Sequence, residues 1–119
     1  MKGNVSRKCM VNLSSEDLAA LDRIATINGL GSTRNRLQSH ACRSSIKRQA
    51  RNLSHTQLDT AIKLGVMSDD NDDNVMWGFH CGDDIRADSA RIAEFHDLPH
   101  ASTAIRFAIR RQLADDIAN

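Results

Sequence analysis

The sequence predicts a mostly α-helical fold with a short two-stranded antiparallel β-ribbon. The 119 residues include one Pro, three Phe, one Trp and no Tyr, a composition that favours helices over a β-sandwich core. Residues 9–13 and 77–81 alternate apolar and other side chains with the period of a half-buried strand. Helical patterns follow both segments. We therefore expect one compact domain, or two very small ones.

The first strand leads directly into a helix. Ser14 and Ser15 are N-cap candidates, and Glu16 and Asp17 follow in the first turn, where acidic side chains are favourable. Asn28-Gly29 ends the helix. One face of this helix carries Leu18, Leu21, Ile24, Ala25 and Asn28.

A second helix follows after Leu30. Gly31-Ser32-Thr33 can cap it, and it runs through Leu37, Ala41 and Ile46 to about Gln49.

The same order of elements recurs from about Met76 onward, which indicates an internal repeat. Gly82-Asp83-Asp84 opens a helix, the segment 98–100 forms a turn, and a final helix runs to about Asp116. Apolar positions of the two copies match at an offset of 68, as in Val11 with Phe79 and Ile24 with Ile92. We expect a slip of one residue at the strand-to-helix turn, where Leu18 matches Ile85.

The segment between the copies predicts a short helix and an acidic turn. Ser54 is its N-cap candidate, Leu58, Ala61 and Ile62 share a face, and Gly65 stops it. Residues 69–74 are Asp and Asn only. The predicted organisation is thus a first strand–helix–helix unit over residues 1–51, a helical and acidic linker over 52–74, and a second unit over 75–119.

A lone five-residue strand cannot satisfy its own backbone hydrogen bonds, so the two strands are expected to pair within the chain. Alternation then separates the side chains of the ribbon into two faces. The buried face would hold Cys9, Val11, Leu13, Trp77, Phe79 and Cys81, and the solvent face Lys8, Met10, Asn12, Met76, Gly78 and His80.

Charge is distributed unevenly along the chain. The net charge is +1 overall, but +7 over residues 1–52, −4 over 53–74 and −2 over 75–119. A basic first third is typical of a phosphate-binding surface, although a solvated positive face gives the same pattern.

Other sequence features narrow the protein class. The three widely spaced cysteines favour reduced thiols over a disulfide framework. Without a membrane-length apolar run or a signal-peptide pattern, a cytoplasmic protein with no membrane partner is expected. No arrangement of Ser, His and Asp forms an activated nucleophile, and no glycine-rich phosphate loop occurs, so we expect no enzyme and no cofactor.

The stretch Val11-Asn12-Leu13-Ser14-Ser15-Glu16-Asp17-Leu18 and the Gly29-Leu30 turn resemble the ribbon-helix-helix family of the Arc, MetJ and CopG type. The resemblance covers residues 7–49 and, more loosely, 76–115. Two units in one chain resemble the TraY proteins of conjugative plasmids, which bind DNA near a transfer origin as relaxosome accessories or regulators. A tandem ribbon-helix-helix pseudo-dimer is the fold that this resemblance implies.

The resemblance also implies a function, which is sequence-specific binding of double-stranded DNA with the ribbon in the major groove. The protein would be a transcriptional repressor or a TraY-like accessory, with further copies of itself or a relaxosome protein as additional partners. Base contacts are expected from Lys8, Met10, Asn12, Gly78 and His80. Phosphate contacts are expected from Ser32, Thr33, Arg34, Arg36, Arg43, Lys47, His100 and Ser102, while Arg106, Arg110 and Arg111 have weaker claims because Asp115 and Asp116 follow.

Two other functions stay open at this point. An antitoxin-like interaction module would use the acidic C-terminal half to bind a protein. A metal-responsive regulator would use His80, Cys81, His96 and His100, but their spacing matches no known compact site, so no metal is expected.

Overall fold

The computed structural model describes residues 7–29, 34–67 and 74–118. Their secondary structure consists, in order, of β1 (Arg7–Leu13), α1 (Ser15–Asn28), α2 (Arg34–Arg51), α3 (Asp59–Met67), β2 (Val75–Cys81), α4 (Asp83–His96) and α5 (Ala101–Ala118). The strands form one two-stranded antiparallel sheet. The prediction of a mostly helical fold with an antiparallel ribbon is therefore confirmed. The radius of gyration of 13.4 Å matches the value of about 13.5 Å expected for a compact chain of this length.

The helix α1 begins and ends where the sequence indicates. The Ser14 hydroxyl accepts a hydrogen bond from the backbone N–H of Asp17 at 3.2 Å, and the Asp17 carboxylate accepts one from the backbone N–H of Ser14 at 3.0 Å. These reciprocal bonds form a capping box. At the other end Gly29 has a φ of 62°, in the left-handed region that glycine adopts without steric cost, and closes the helix.

The two strand–helix–helix segments have elements of equal length, but their predicted alignment needs a correction. β2 and α4 begin and end 68 residues after β1 and α1, respectively. The long helix α5 begins and ends 67 residues after α2. The predicted slip at the strand-to-helix turn is therefore wrong, because Asp17 rather than Leu18 takes the position of Ile85. Both are buried. The prediction failed because it assumed that an apolar residue must match an apolar residue. Both long helices also extend two residues beyond their predicted ends.

The helix α3 differs from its prediction at both ends. Ser54 does not cap it; the Thr56 hydroxyl accepts from the N–H of Leu58 at 3.2 Å, and the N–H of Thr56 donates to Asp59 at 3.0 Å. Gly65 lies inside the helix instead of ending it. A Cβ atom at Gly65 would lie 3.3 Å from Nη1 of Arg110, so the glycine permits close approach of α3 to α5. The predicted acidic turn falls largely on residues 68–73, outside the described part.

The core lies between the ribbon and the helices. It combines the inward side chains of both strands with apolar residues of α1, α2, α4 and α5, and its largest fully buried members are Phe79, Phe107, Leu13, Leu21, Ile24, Ile46, Ile92 and Ile109. Since both strands contribute to one core, the ribbon is fixed on the helices with one face turned outward.

Candidate nucleic-acid interface

The solvent side of the ribbon is formed by three cross-strand pairs. Lys8 lies opposite His80, Met10 opposite Gly78, and Asn12 opposite Met76. We call these six residues the ribbon face. They all belong to the set that alternation assigns to solvent, so the sequence-based division of the ribbon into two faces agrees with the register.

The solvent exposure of the side chains follows this division of the ribbon into two faces. Lys8, Asn12 and His80 are exposed, Met10 and Met76 retain 51% and 61% of their surface, and Gly78 is half-buried. A Cβ atom at Gly78 would lie 2.5 Å from Cε of Lys8 and 2.8 Å from Sδ of Met10. The missing side chain of Gly78 therefore leaves room for the Lys8 and Met10 side chains to lie across β2.

The opposite side of the ribbon packs on the helices. Val11, Leu13, Phe79 and Cys81 are buried, and Cys9 and Trp77 are half-buried. The Trp77 and Phe79 rings stack with centroids 5.3 Å apart. This packing holds the ribbon face in a fixed orientation.

The prediction of reduced thiols is wrong for two of the three cysteines. Cys9 and Cys81 form a disulfide bond, with Cα atoms 6.2 Å apart, within the usual range for a bridged pair. Alternation places both residues on the buried face, but only the register makes them diagonal neighbours. Cys42 is a free, fully buried thiol, as the prediction of reduced thiols requires, and burial raises its pKa; it behaves as a small apolar residue.

A depression beside the ribbon brings together residues predicted to contact bases and a residue predicted to contact phosphate. It has a volume of about 480 Å³, and its walls include Lys8 and Met10 of β1, Arg86 of α4, and Ala101 and Ser102 at the start of α5. Arg86 is not among the contacts predicted from the sequence. The signal that could have identified Arg86 is its position directly after Ile85, an apolar residue of the helix. A residue at the edge of a buried helix face lies beside the element that this face covers.

Two predicted phosphate contacts already have partners within the chain. Arg43 Nη1 donates to the carbonyl oxygen of His80 at 3.0 Å. Lys47 Nζ lies 2.6 Å from a carboxylate oxygen of Asp84. Arg43 thus places a positive charge at one end of the ribbon face, whereas the charge of Lys47 is neutralised by an acid in the first turn of α4.

The remaining predicted phosphate contacts lie near helix starts. Ser32 and Thr33 fall outside the described residues. Arg34 and Arg36 belong to the first turn of α2, and their side chains are likewise outside the description. His100 and Ser102 are exposed at the start of α5.

The three arginines of α5 are involved in internal contacts that the sequence analysis missed. Fully buried Asp17 accepts hydrogen bonds from Nε of Arg106 at 2.8 Å and from Nε of Arg110 at 2.7 Å. Arg106 also donates to the carbonyl oxygen of Val66 at 3.1 Å. Arg111 binds Asp59 at 3.0 Å. Asp17, Arg106 and Arg110, together with Ser14, form what we call the Asp17 cluster.

Opposing effects set the pKa of the Asp17 carboxyl. Burial alone raises the pKa by desolvating the charged form, but hydrogen bonds from Arg110, the Ser14 backbone and Arg106 outweigh it, so that the pKa lies below its ordinary value of 3.8. Asp17 is therefore a buried carboxylate at neutral pH, paired with two guanidinium groups.

The four residues considered for a metal site do not form one among the described side chains. His96 instead lies beside His55 and Asp59. Burial lowers the pKa of His96 below 6.5; Asp59 opposes this change, whereas His55, Arg111 and Lys63 add to it. His96 is thus a neutral imidazole at neutral pH.

Comparisons with protein-family models, curated proteins and solved structures found no match to this chain. Among the described residues, no helix is both long and apolar enough to span a membrane.

Proposed function

We propose that this protein binds double-stranded DNA in a sequence-specific manner by inserting its β-ribbon into the major groove. The observation that carries the proposal is the ribbon face, an outward surface of Lys8, Met10, Asn12, Met76, Gly78 and His80 held on a packed core. A two-stranded ribbon fits the width of the major groove.

The chemistry of this face suits base edges. An ammonium group such as that of Lys8 donates to guanine O6 and N7, and an amide such as that of Asn12 pairs with adenine N6 and N7. The thioethers of Met10 and Met76 can contact a thymine methyl group. The polar side chains of the face thus lie at both ends of the ribbon. Lys8 and His80 form a pair at one end and Asn12 lies at the other, while Met10 lies between Lys8 and Asn12, and Met76 is opposite Asn12.

Element lengths support a tandem ribbon-helix-helix arrangement. Both strands have seven residues, α1 and α4 fourteen each, and α2 and α5 eighteen each. The two strands also pair with each other rather than remaining as separate edges. In this proposal one chain supplies both halves of a reading unit that single-unit proteins assemble from two chains.

The depression beside the ribbon supports a phosphate contact. Lys8 and Arg86 at its wall are cations, and the start of α5 adds the Ser102 hydroxyl and the backbone N–H groups of a helix N-terminus. Helix N-termini and cations both favour phosphate. The proposed role is that of a transcriptional repressor or of an accessory protein that marks a DNA site for a relaxosome.

The test is fluorescence anisotropy with the purified protein and two duplexes, one of random sequence and one flanking its own gene, across a salt series. Salt-sensitive binding that is tighter on the flanking DNA is expected. Replacing Asn12 by Ala should lower specific affinity by about 5- to 150-fold, equal to about 1–3 kcal/mol for a lost bidentate base contact.

Two matched control variants distinguish the loss of a base contact by Asn12→Ala from a general loss of charge or stability. Asn52→Ala removes an exposed amide at the end of α2, and Arg91→Ala removes one positive charge from α4; each should leave the discrimination between the two duplexes intact. No binding to either duplex at low salt, or equal discrimination by Asn12→Ala and Asn52→Ala, would contradict the proposal.

A second candidate function, a protein-interaction module, draws on a different surface. The acidic residues that suggested it are partly engaged within the chain, since Asp84 pairs with Lys47 and Asp116 with Arg48. Exposed apolar side chains favour it instead, since Leu58, Leu64 and Met67 in and beside α3 and Ile117 of α5 are 49–63% exposed. A stoichiometric partner that co-purifies with the protein and is lost on Leu64→Glu would support this function.

A further inference from the structure

A cluster of two histidines and one aspartate lies where the chain enters α3. His55 precedes the helix, Asp59 is its first residue, and His96 is the last residue of α4. Neither α3 nor this cluster belongs to the ribbon face, so the cluster is independent of the proposed DNA contact.

The three side chains converge on one point. Nδ1 of His55 lies 3.6 Å and Nδ1 of His96 3.7 Å from the same oxygen of Asp59, Oδ2. The three candidate ligand atoms lie within 4.8 Å of one another. Ligands at about 2.0–2.2 Å from a tetrahedral ion are about 3.3–3.6 Å apart. The two nitrogen-to-oxygen distances of 3.6 and 3.7 Å are thus close to those around a bound ion and too long for direct hydrogen bonds.

We propose that His55, Asp59 and His96 bind a divalent transition-metal ion, with Zn²⁺ as the best fit. Two imidazole nitrogens and one carboxylate oxygen would hold the ion, and water would take the fourth position. Imidazole ligands select such ions over Mg²⁺ and Ca²⁺, which prefer oxygen donors.

Surrounding groups orient the carboxylate. The N–H of Thr56 donates to Oδ2 of Asp59 at 3.0 Å, and its hydroxyl donates to Oδ1 at 2.9 Å. Arg111 donates to Oδ1 at 3.0 Å. Outer contacts of this kind fix ligands in protein metal sites. Oδ2, which faces both imidazoles, keeps a lone pair for the ion.

Aromatic contacts orient the two imidazoles. The His55 ring stacks on Phe95 with centroids 4.4 Å apart, and the His96 ring lies 4.4 Å from that of Phe107. The His96 side chain is 4% exposed and that of His55 68%. A cavity of about 270 Å³ lined by these residues gives an ion room and access from solvent.

Two cations limit the affinity. Arg111 contacts Asp59, and Lys63 Nζ donates to the carbonyl oxygen of His96 at 3.1 Å. Their repulsion weakens the binding of a dication, so we expect a site that exchanges its ion rather than one that retains it permanently. A bound ion would fasten the start of α3 to the end of α4 and so fix the connecting helix on the second half of the chain.

The test is calorimetric titration and native mass spectrometry of the full chain with Zn²⁺, without reductant so that Cys9 and Cys81 stay bonded. One ion per chain is expected, together with a Zn²⁺-dependent rise in the thermal midpoint. His55→Ala, at an exposed side chain, should fold and lower the affinity at least tenfold.

The matched control is His40→Ala, which removes an exposed histidine of α2 outside the cluster and should bind Zn²⁺ as the unaltered chain does. Titration with Co²⁺ adds a spectroscopic readout, since a tetrahedral site gives a visible absorption that His55→Ala should abolish. Absence of Zn²⁺ binding by the unaltered chain, or equal binding by His55→Ala and His40→Ala, would overturn the proposal.

Discussion

The two strand–helix–helix halves of the chain have elements of equal length but stabilise their strand-to-helix turns in different ways. In the first half Ser14 caps α1, and buried Asp17 closes the capping box. In the second half Gly82 occupies the cap position without a side-chain hydrogen bond, and buried Ile85 takes the place of Asp17. One turn is held by directional polar bonds, the other by apolar packing.

This difference shows how the same order and length of elements can be reached by different interactions. Asp17 connects α1 to α5 through Arg106 and Arg110, and Arg106 continues to α3 through Val66. Hydrogen bonds require a specific geometry, whereas contacts of Ile85 tolerate small shifts. The Asp17 cluster therefore fixes the relative positions of three helices, while the second half relies on shape and burial.

The largest effect in this comparison is expected from removing the polar anchor. Asp17→Ala should lower the free energy of unfolding by about 3–5 kcal/mol, because it leaves the guanidinium groups of buried Arg106 and partly buried Arg110 without their carboxylate. Ile85→Val, at the matching position, should cost only about 0.5–1.5 kcal/mol. Urea denaturation measures both.

Glu16→Ala provides the control for Asp17→Ala. Glu16 is 77% exposed and lies 3.7 Å from Arg110, so its loss should change stability by about 0–1 kcal/mol. Since the pKa of Asp17 is lowered on folding, its contribution is complete above about pH 3.8 and decreases as the pH falls through the lowered value. Equal costs for Asp17→Ala and Glu16→Ala would refute the asymmetry between the halves.

The covalent link between the halves should give the next largest effect. Reduction of the Cys9–Cys81 bond, which spans a sequence separation of 72 residues, is expected to lower stability by about 2–4 kcal/mol. Urea titrations with and without dithiothreitol test this. The Cys9→Ser variant should be insensitive to the reductant, and a reductant effect of the same size in that variant would assign the loss to another cause.

The caps themselves should give the smallest effect. Ser14→Ala is expected to cost about 1 kcal/mol, whereas Gly82→Ser should stabilise α4 by a few tenths of a kcal/mol, because glycine is only slightly inferior to serine at this position. Thermal unfolding followed by circular dichroism shows whether each substitution stabilises or destabilises the protein. Destabilisation by Gly82→Ser would mean that a backbone feature of the second turn excludes a side chain.

The sequence predicted the ribbon and the helices because local signals specify them. Alternation marked both strands, and Ser14 and Gly29 marked the ends of α1. Long-range contacts were not predictable in this way. Asp17 has the sequence context of an ordinary first-turn acid, and only the fold reveals that arginines 89 and 93 residues later bind it.

The candidate sites show the same contrast. The ribbon face followed from period-two alternation alone. The bond between Cys9 and Cys81 required the register, and the His55, Asp59 and His96 cluster required the packing of α3 against the second half. No local pattern encodes either of them.

The pairing of β1 with β2 has a consequence for synthesis on the ribosome. Leu13 ends the first strand and Cys81 ends the second, 68 residues later. At elongation rates of about 5–20 residues per second, β1 emerges about 3–14 seconds before the end of its pairing strand. During that interval its inward face, including Val11 and Leu13, lacks the strand that completes its sheet. The order of synthesis thus leaves β1 with an unpaired edge that can misassociate until β2 has been made.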